Sequence, residues 1–105
     1  MIRCSWLALS LVLAWPVFAG EGIPAERERE LRNLLIQDCG SCHGLTMKGG
    51  LGPALLPERL QAIPAEYLTA VILHGRPGTA MPPWSSLLTP AEARWMAERL
   101  QKDDL

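Results

Sequence analysis

Apolar and polar positions divide the chain into an apolar leader and a series of short helical segments joined by loops. Residues 4–17 are almost wholly apolar, and polarity returns at Gly20. Beyond Pro24, apolar side chains recur at the spacing of an amphipathic helix, and no strand-like alternation precedes the cysteines. The pattern predicts an all-α domain of roughly three to four helices.

The first predicted helix begins at Pro24, because proline suits the first turn of a helix. Its apolar stripe runs toward residue 39 and consists of Leu31, Leu34 and Leu35. Glutamate and arginine alternate over residues 26–32 on the remaining positions. We interpret this alternation as a solvated helical face with weak side-chain pairs, and a docking surface is the alternative.

The middle of the chain predicts a short helical turn followed by a longer helix. Residues 57–62 form the turn, and the longer helix begins at Pro64. It ends near His74, because Gly75 is typical of the position after a helix.

The last helix has the most definite start. Thr89 is its N-cap, Pro90 occupies the first position and Glu92 completes a capping box. Its apolar stripe follows the helical period and consists of Ala93, Met96, Ala97 and Leu100. The acidic end at 103–104 is expected to fray.

The apolar leader has the features of a Sec signal peptide. Arg3 gives it a basic tip, and Ala19 is the small residue that precedes a cleavage site. We therefore predict cleavage after residue 19, a mature domain over residues 20–105 and a periplasmic location. An uncleaved anchor is the alternative, although the apolar run is shorter than the roughly 20 residues that a membrane span needs. A lipoprotein is disfavoured because Cys4 lies before the apolar run.

The candidate chemistry lies in the run Cys39-Gly-Ser-Cys42-His43. Cys-x-x-Cys-His is the attachment sequence of a c-type haem. Cysteines three apart on a helical turn project from one face, so both sulfurs can bond to the vinyl groups at one edge of a porphyrin. His43 then supplies an imidazole nitrogen to the iron as the proximal ligand. A thiol-disulfide oxidoreductase would instead need a buried strand before the cysteines, and a charged helix precedes them here.

Cysteine count and charge narrow the class further. The chain has three cysteines; Cys4 leaves with the leader, and the other two belong to the haem motif. No cysteine remains for a structural disulfide, so a covalent haem is expected to supply much of the apolar core of this small domain. The formal net charge is −1, and the lysines and arginines do not form a clustered basic face. Both observations disfavour nucleic acid as a partner.

The distal ligand of the iron decides between electron transfer and ligand binding. Met81 is the preferred candidate because it lies on a proline-stiffened loop that shows no helical period. Met47 is too close in sequence to His43 to cross the ring easily, and Met96 belongs to the apolar stripe of the last helix. His74 is a further candidate, although it is also suited to capping its own helix.

Two more residues are candidates for haem contacts. Arg76 either pairs with a haem propionate or is a solvated loop residue. Trp84 is expected at the haem, as an apolar wall or as a propionate donor through its indole nitrogen. The glycine- and proline-rich stretch 44–57 is expected to form the loop that wraps the His43 side of the haem.

The order of these features resembles a class I mono-haem cytochrome c over about residues 24–101. The runs 38–53 and 73–84 are similar to the cytochrome c-55X family, small periplasmic cytochromes of denitrifying bacteria whose gene accompanies the haem c/d nitrite reductase. The resemblance implies a small cytochrome c fold wrapped around one haem c, with the N- and C-terminal helices crossing. It also implies covalent attachment through Cys39 and Cys42 and axial ligation by His43 and Met81.

The resemblance also assigns supporting residues. Pro53 matches the proline whose carbonyl accepts a hydrogen bond from the proximal imidazole, which fixes the orientation of the ring. Leucines at 31 and 35 are expected to contact Met96 and Leu100 where the terminal helices cross. The class often has larger aromatic residues at this crossing, and Trp95 is a candidate to supply the missing bulk.

The function that follows is one-electron transfer, without enzymatic activity. The partners implied are redox proteins that dock transiently with a monomer, namely nitrite reductase and an upstream cytochrome or membrane complex. We expect no binding to nucleic acid, and none to the membrane once the signal is cleaved. A role in the biogenesis of haem d for nitrite reductase is the alternative. An open iron site that binds gas or peroxide is a third possibility if Met81 is not a ligand.

Overall fold

The computed structural model describes Ala14 and residues 22–105. The predicted signal peptide therefore lies outside the described residues, apart from Ala14. Residues 22–105 contain no strand and form five α-helices and one π-helical segment. In chain order these are α1 (Ala25–Leu34), the π segment (Leu35–Cys39), α2 (Gly40–His43), α3 (Pro57–Leu60), α4 (Ala65–His74) and α5 (Pro90–Lys102).

The first helix continues without a break from α1 through the π segment into α2. Gly40 donates its backbone N–H to the carbonyl of Leu35, five residues earlier, which is the π-helical bond. The amphipathic pattern predicts a helix here but not its local widening. A π turn adds one residue to a turn, so it changes the direction in which residues 39–43 project relative to α1.

The core lies where α1 and the π segment meet α5, and α4 packs along α5. Leu31, Leu35 and Met96 are fully buried, and Leu100 belongs to the same cluster. The predicted crossing of the terminal helices is therefore confirmed. The complete cluster consists of Leu31, Leu35, Met47, Leu60, Leu73, Leu88, Ala93, Met96 and Leu100.

The predicted solvated face on α1 is wrong for two of its arginines. Arg27 forms an ion pair with Glu92 of α5, whose side chain is only 13% exposed, and it also donates to the carbonyl of Leu87 at 3.2 Å. Arg32 lies over the ring of Trp95, with its guanidinium carbon 5.3 Å from the ring centroid. These long side chains cross to α5 because the two helices lie close together, so part of the charged face is a helix–helix contact.

The C-terminal residues are held rather than frayed, contrary to expectation. The Asp104 carboxylate accepts hydrogen bonds from Arg99 at 2.7 Å and from Arg32 at 3.3 Å. Arg99 also lies over Trp95, 5.0 Å from the ring centroid. Trp95 thus lies within cation–π distance of two guanidinium groups at the helix crossing and packs partly against the core, where it supplies bulk.

The predicted start of α5 and the predicted end of α4 are confirmed, whereas α1 and α4 begin one residue after Pro24 and Pro64, which are their N-caps. Thr89 accepts a hydrogen bond from the Glu92 backbone N–H at 3.2 Å, and the Glu92 side chain accepts one from the Thr89 N–H at 2.8 Å. Gly75 follows α4 with φ +68°, a conformation that favours glycine. In residues 22–105 no helix has the length and apolar character that crossing a membrane requires.

Candidate haem-binding site

The Cys-x-x-Cys-His turn lies at the end of the long first helix. Cys39 closes the π segment and is half-buried, whereas Cys42 is exposed, and neither thiol forms a disulfide. Burial, together with the neighbouring Asp38 carboxylate, raises the pKa of the Cys39 thiol to about 11. Both sulfurs are therefore available for thioether bonds.

The imidazole of His43 is oriented by the backbone of the following loop. Its Nδ1 lies 2.7 Å from the carbonyl oxygen of Pro53, so Nδ1–H donates and Nε2 keeps a free lone pair. The structure thus has the hydrogen bond implied by the resemblance. Gly52, the residue before this proline, also lies against the imidazole. A Cβ placed on Gly52 would lie only 2.8 Å from Cε1 of His43.

The loop over residues 44–56 is tied back to the haem-binding turn through backbone hydrogen bonds. Gly49 donates to the carbonyl of His43 at 2.8 Å, and Gly52 donates to the carbonyl of Cys42 at 2.8 Å. A Cβ on Gly50 would lie 2.8 Å from that same carbonyl oxygen. The glycines therefore allow the loop to lie directly on the turn that carries the proximal ligand and both tethers.

Met81 lies on the second loop, between α4 and α5, and is half-buried. The residues after it are bonded to α4, since Trp84 and Ser85 donate their N–H groups to carbonyls of Ile72 and Leu73, both at 3.1 Å. Trp84 itself is half-buried and packs against the core cluster. Its proposed contact with the haem stays a prediction.

The competing ligand candidates differ in their exposure. Met96 and Met47 are buried in the core cluster, 0% and 3% exposed, among mostly leucine residues. His74 and Arg76 are both exposed at the end of α4. Their roles toward the iron and the propionates stay predictions.

Two features of the site were not found from the sequence. Met47 has φ +59°, a left-handed conformation that is uncommon for methionine, and no local signal marks it. The close approach of Gly52 to the His43 ring depends on how residues 44–56 fold back. Only the Gly52-Pro53 pair in the sequence pointed toward it.

These residues fit a covalently bound haem. Two unpaired thiols three residues apart and an imidazole whose Nδ1 is already bonded are the donor groups that such a haem requires. An all-α fold built around this turn defines the class of c-type cytochromes, which are electron-transfer proteins.

Comparisons with known proteins agree with this class. The sequence profile of the family described as "Cytochrome C oxidase, cbb3-type, subunit III" matches residues 26–98. Cytochrome c55X of Pseudomonas aeruginosa is 52% identical over 102 residues, which cover 95% of this chain and 86% of that protein. A solved structure titled "c-type cytochrome NirC" is similar with a TM-score of 0.76 and 54% identity, over 78% of this chain and 96% of that one.

A larger protein contains a related segment. The dihydro-heme d1 dehydrogenase of Pseudomonas aeruginosa is 41% identical over 92 residues, which cover 88% of this chain but only 17% of that enzyme. The chain belongs to the cytochrome c family that the matching profile describes and to the cytochrome c55X family. Its cofactor is a haem c, attached through Cys39 and Cys42.

Proposed function

We propose that the protein is a periplasmic one-electron carrier in denitrification, with His43 and Met81 as the axial ligands of its haem and no enzymatic activity of its own. The hydrogen bond between His43 Nδ1 and the Pro53 carbonyl is the observation that carries this proposal. It leaves Nε2 available to the iron and fixes the ring that must present it.

The bound haem supplies one-electron exchange between ferric and ferrous iron. The Pro53 carbonyl orients the proximal imidazole, and the hydrogen bonds from residues 49 and 52 hold the loop against the turn that carries it. A thioether from Met81 would favour ferrous iron and so raise the reduction potential. With both axial positions held by the protein, little would have to move when an electron is transferred.

The partners proposed are redox proteins, nitrite reductase and an upstream cytochrome or membrane complex, which bind a monomer transiently. Similarity to cytochrome c55X over most of both chains supports this setting. Arg76 and Trp84 are proposed to contact the haem, as a propionate partner and as a wall of the pocket. Removal of residues 1–19 is proposed to release the protein into the periplasm, and the mass of the purified protein tests it.

The ferric optical spectrum tests the distal ligand. Wild type should show a sulfur-to-iron charge-transfer band, and Met81→Ala should lose it because alanine provides no sulfur. The matched control Met96→Ala removes a methionine from the core and should retain the band. A wild-type spectrum without the band would contradict ligation by Met81 and would favour an open iron site.

A role in haem d biogenesis is the second candidate. The observation that favours it is the stretch of about the same size, 41% identical, within a protein named dihydro-heme d1 dehydrogenase. Deleting the gene distinguishes the two roles. A nitrite reductase that lacks its haem d while other carriers still supply electrons would favour biogenesis, and a complete but electron-starved reductase would favour the carrier.

A further inference from the structure

The loop from Arg76 to Met81 forms a small hydrogen-bonded ring. Thr79 donates its backbone N–H to the carbonyl of Arg76 at 3.1 Å, across Pro77 and Gly78. Gly78 has φ +78°, so these four residues match a type II turn with proline and glycine at its centre. Arg76 in turn donates its N–H to the carbonyl of Met81 at 3.3 Å, which closes the ring.

A side chain completes this ring. The hydroxyl of Thr79 donates to the carbonyl of Arg76 at 2.6 Å and accepts from the N–H of Met81 at 3.3 Å. Both backbone polar groups of Met81 are therefore bonded within its own loop. One of the two bonds depends on the threonine hydroxyl.

The loop is also pressed against the end of α4. A Cβ on Gly75 would lie 2.7 Å from the carbonyl oxygen of Met81 and 2.8 Å from the carbonyl carbon of Pro82. Gly75 is buried and allows this contact. The backbone of Met81 is thus held on one side by the helix end and on the other by the Thr79 hydroxyl.

We propose that Thr79 is a positioning residue for the distal ligand: its hydroxyl fixes the backbone of Met81 so that the thioether meets the iron at a set place and resists displacement. The inference rests on the proposed function, in which Met81 is the axial ligand. It goes further by naming the side chain that determines how strongly the ligand is retained.

Titration of the haem-loaded ferric protein with imidazole tests this role. Imidazole can occupy the distal position only when the methionine has left, so its apparent affinity reports the population of the open state. Thr79→Val replaces the hydroxyl by a methyl group of similar size, and because Thr79 is exposed the methyl group meets solvent. The variant loses both hydrogen bonds of the hydroxyl, and of these the one from the Met81 N–H holds the ligand. Loss of that bond predicts roughly three- to tenfold tighter apparent imidazole binding, followed through the charge-transfer band.

Two further variants separate positioning from general stability. Thr79→Ser keeps a hydroxyl and should restore wild-type affinity. Thr69→Val removes a comparable hydroxyl, which donates to the Ala65 carbonyl at 2.7 Å within α4, and should leave imidazole binding unchanged. Separate denaturant titrations compare the global unfolding midpoints of all three variants with that of wild type.

The outcomes are distinguishable. Tighter binding confined to Thr79→Val supports the inference. Equal affinities for Thr79→Val and wild type, or an equal change in Thr69→Val, would overturn it while leaving Met81 as the ligand. A wild-type protein without the charge-transfer band would overturn the distal assignment itself, and this inference with it.

Discussion

At the residue scale, Gly52 is the glycine of the haem-binding site that lies directly against the proximal ligand. The space that a side chain would need is already occupied by the His43 ring, 2.8 Å from Cε1 and 2.9 Å from Nδ1. Real Cβ atoms do not approach other atoms so closely, so any larger residue has to displace the imidazole or the loop. The position therefore couples the loop backbone directly to the proximal ligand.

We expect Gly52→Ala to move the His43 ring away from the Pro53 carbonyl. The free energy of unfolding of the haem-loaded protein should fall by about 1–3 kcal/mol, in the range of overpacked positions. Denaturant titration gives the stability, and proton NMR of the His43 ring gives its displacement. Gly22→Ala is the control, since its Cβ would meet nothing within 4 Å. Unchanged His43 resonances in Gly52→Ala would contradict the proposed coupling.

Met47 illustrates a methionine whose role is structural. It keeps a left-handed backbone although its side chain is 3% exposed and packs in the core cluster. Its carbonyl also accepts a hydrogen bond from Leu55 at 2.9 Å, which joins the two halves of the loop. Burial of the side chain compensates for the unfavourable backbone conformation.

Met47→Ala should therefore destabilise the protein without changing its iron ligands. Truncation of a buried methionine costs about 2–5 kcal/mol, depending on how far the cavity collapses. Thermal unfolding measures the loss, and the ferric charge-transfer band should be retained. Loss of that band would identify Met47 as a ligand and contradict its placement in the core.

At the scale of elements, the joint between α1 and α5 depends on one carboxylate with two functions. Glu92 completes the capping box of α5 and pairs with Arg27 of α1. The pKa of Glu92 is lowered chiefly by the hydrogen bond from Arg27 and then by the backbone N–H of Thr89. The Glu92 carboxylate thus links the start of α5 to the packing of α1 against it.

Glu92→Gln separates these functions, because glutamine can still complete a capping box. We expect a loss of about 1–2 kcal/mol in the free energy of unfolding at pH 7, from the missing charged hydrogen bond. Since the folded-state pKa lies below the ordinary glutamate value of about 4.3, the stabilisation is present above that pH and disappears as the pH falls through the folded-state pKa. The stability difference between wild type and variant should close over that acidic range in denaturant titrations.

Glu98→Gln provides the matched control on the same helix. Glu98 pairs with Arg94 four residues away, at 2.8 Å on the protein surface. Exposed pairs of this kind contribute little, so its loss should be much smaller than that of Glu92→Gln. Equal losses in the two variants would show that the α1–α5 pair has no special contribution.

The elements differ in how far the sequence predicts them. The start of α5 and the end of α4 follow from local chemistry, because Thr89, Glu92 and Gly75 act on backbone groups within one turn. The π segment and the partners of Arg27 and Arg32 depend on where α5 lies. The spacing of residues within α1 contains no information about where α5 lies. Arg27 and Arg32 are therefore predicted to be solvated although they contact α5.

The same division applies to the site. Cys39, Cys42 and His43 are recognisable because covalent attachment imposes a fixed spacing on neighbouring residues. The role of Pro53, ten residues after His43, is predicted from the family resemblance alone. The contact of Gly52 with the imidazole and the ring closed by Thr79 arise from loop folding, and composition indicates only that a loop is there.

At the scale of the whole molecule, the buried core is small for a free-standing domain. Its buried members among the described residues are leucines, two methionines and two alanines, and both Trp84 and Trp95 are only half-buried. Domains of this size commonly need an additional stabilising group. The covalent haem is the group that this family provides.

Removal of the tethers should therefore weaken the fold. A Cys39→Ala, Cys42→Ala double variant is expected to lose covalent haem and to show reduced helical circular dichroism and a lower unfolding midpoint than the holoprotein. Alanine is smaller than cysteine and introduces no steric conflict at either position. The loss of helicity and stability therefore measures the contribution of the haem and not an effect of the substitutions. An equally stable, equally helical variant would show that the polypeptide core is sufficient.

We expect the joint between α1 and α5 to form late when the chain folds. Arg27 and Glu92 are separated by 65 positions in sequence, and Arg32 and Asp104 by 72, whereas only residues 75–89 separate α4 from α5. Contacts between distant segments form late because closing a long loop costs more entropy. Pulsed hydrogen exchange should show protection in α4 before α1. The haem-attachment turn, which follows α1, would then stay accessible until α1 docks on α5, so late closure leaves time for the cofactor to be attached.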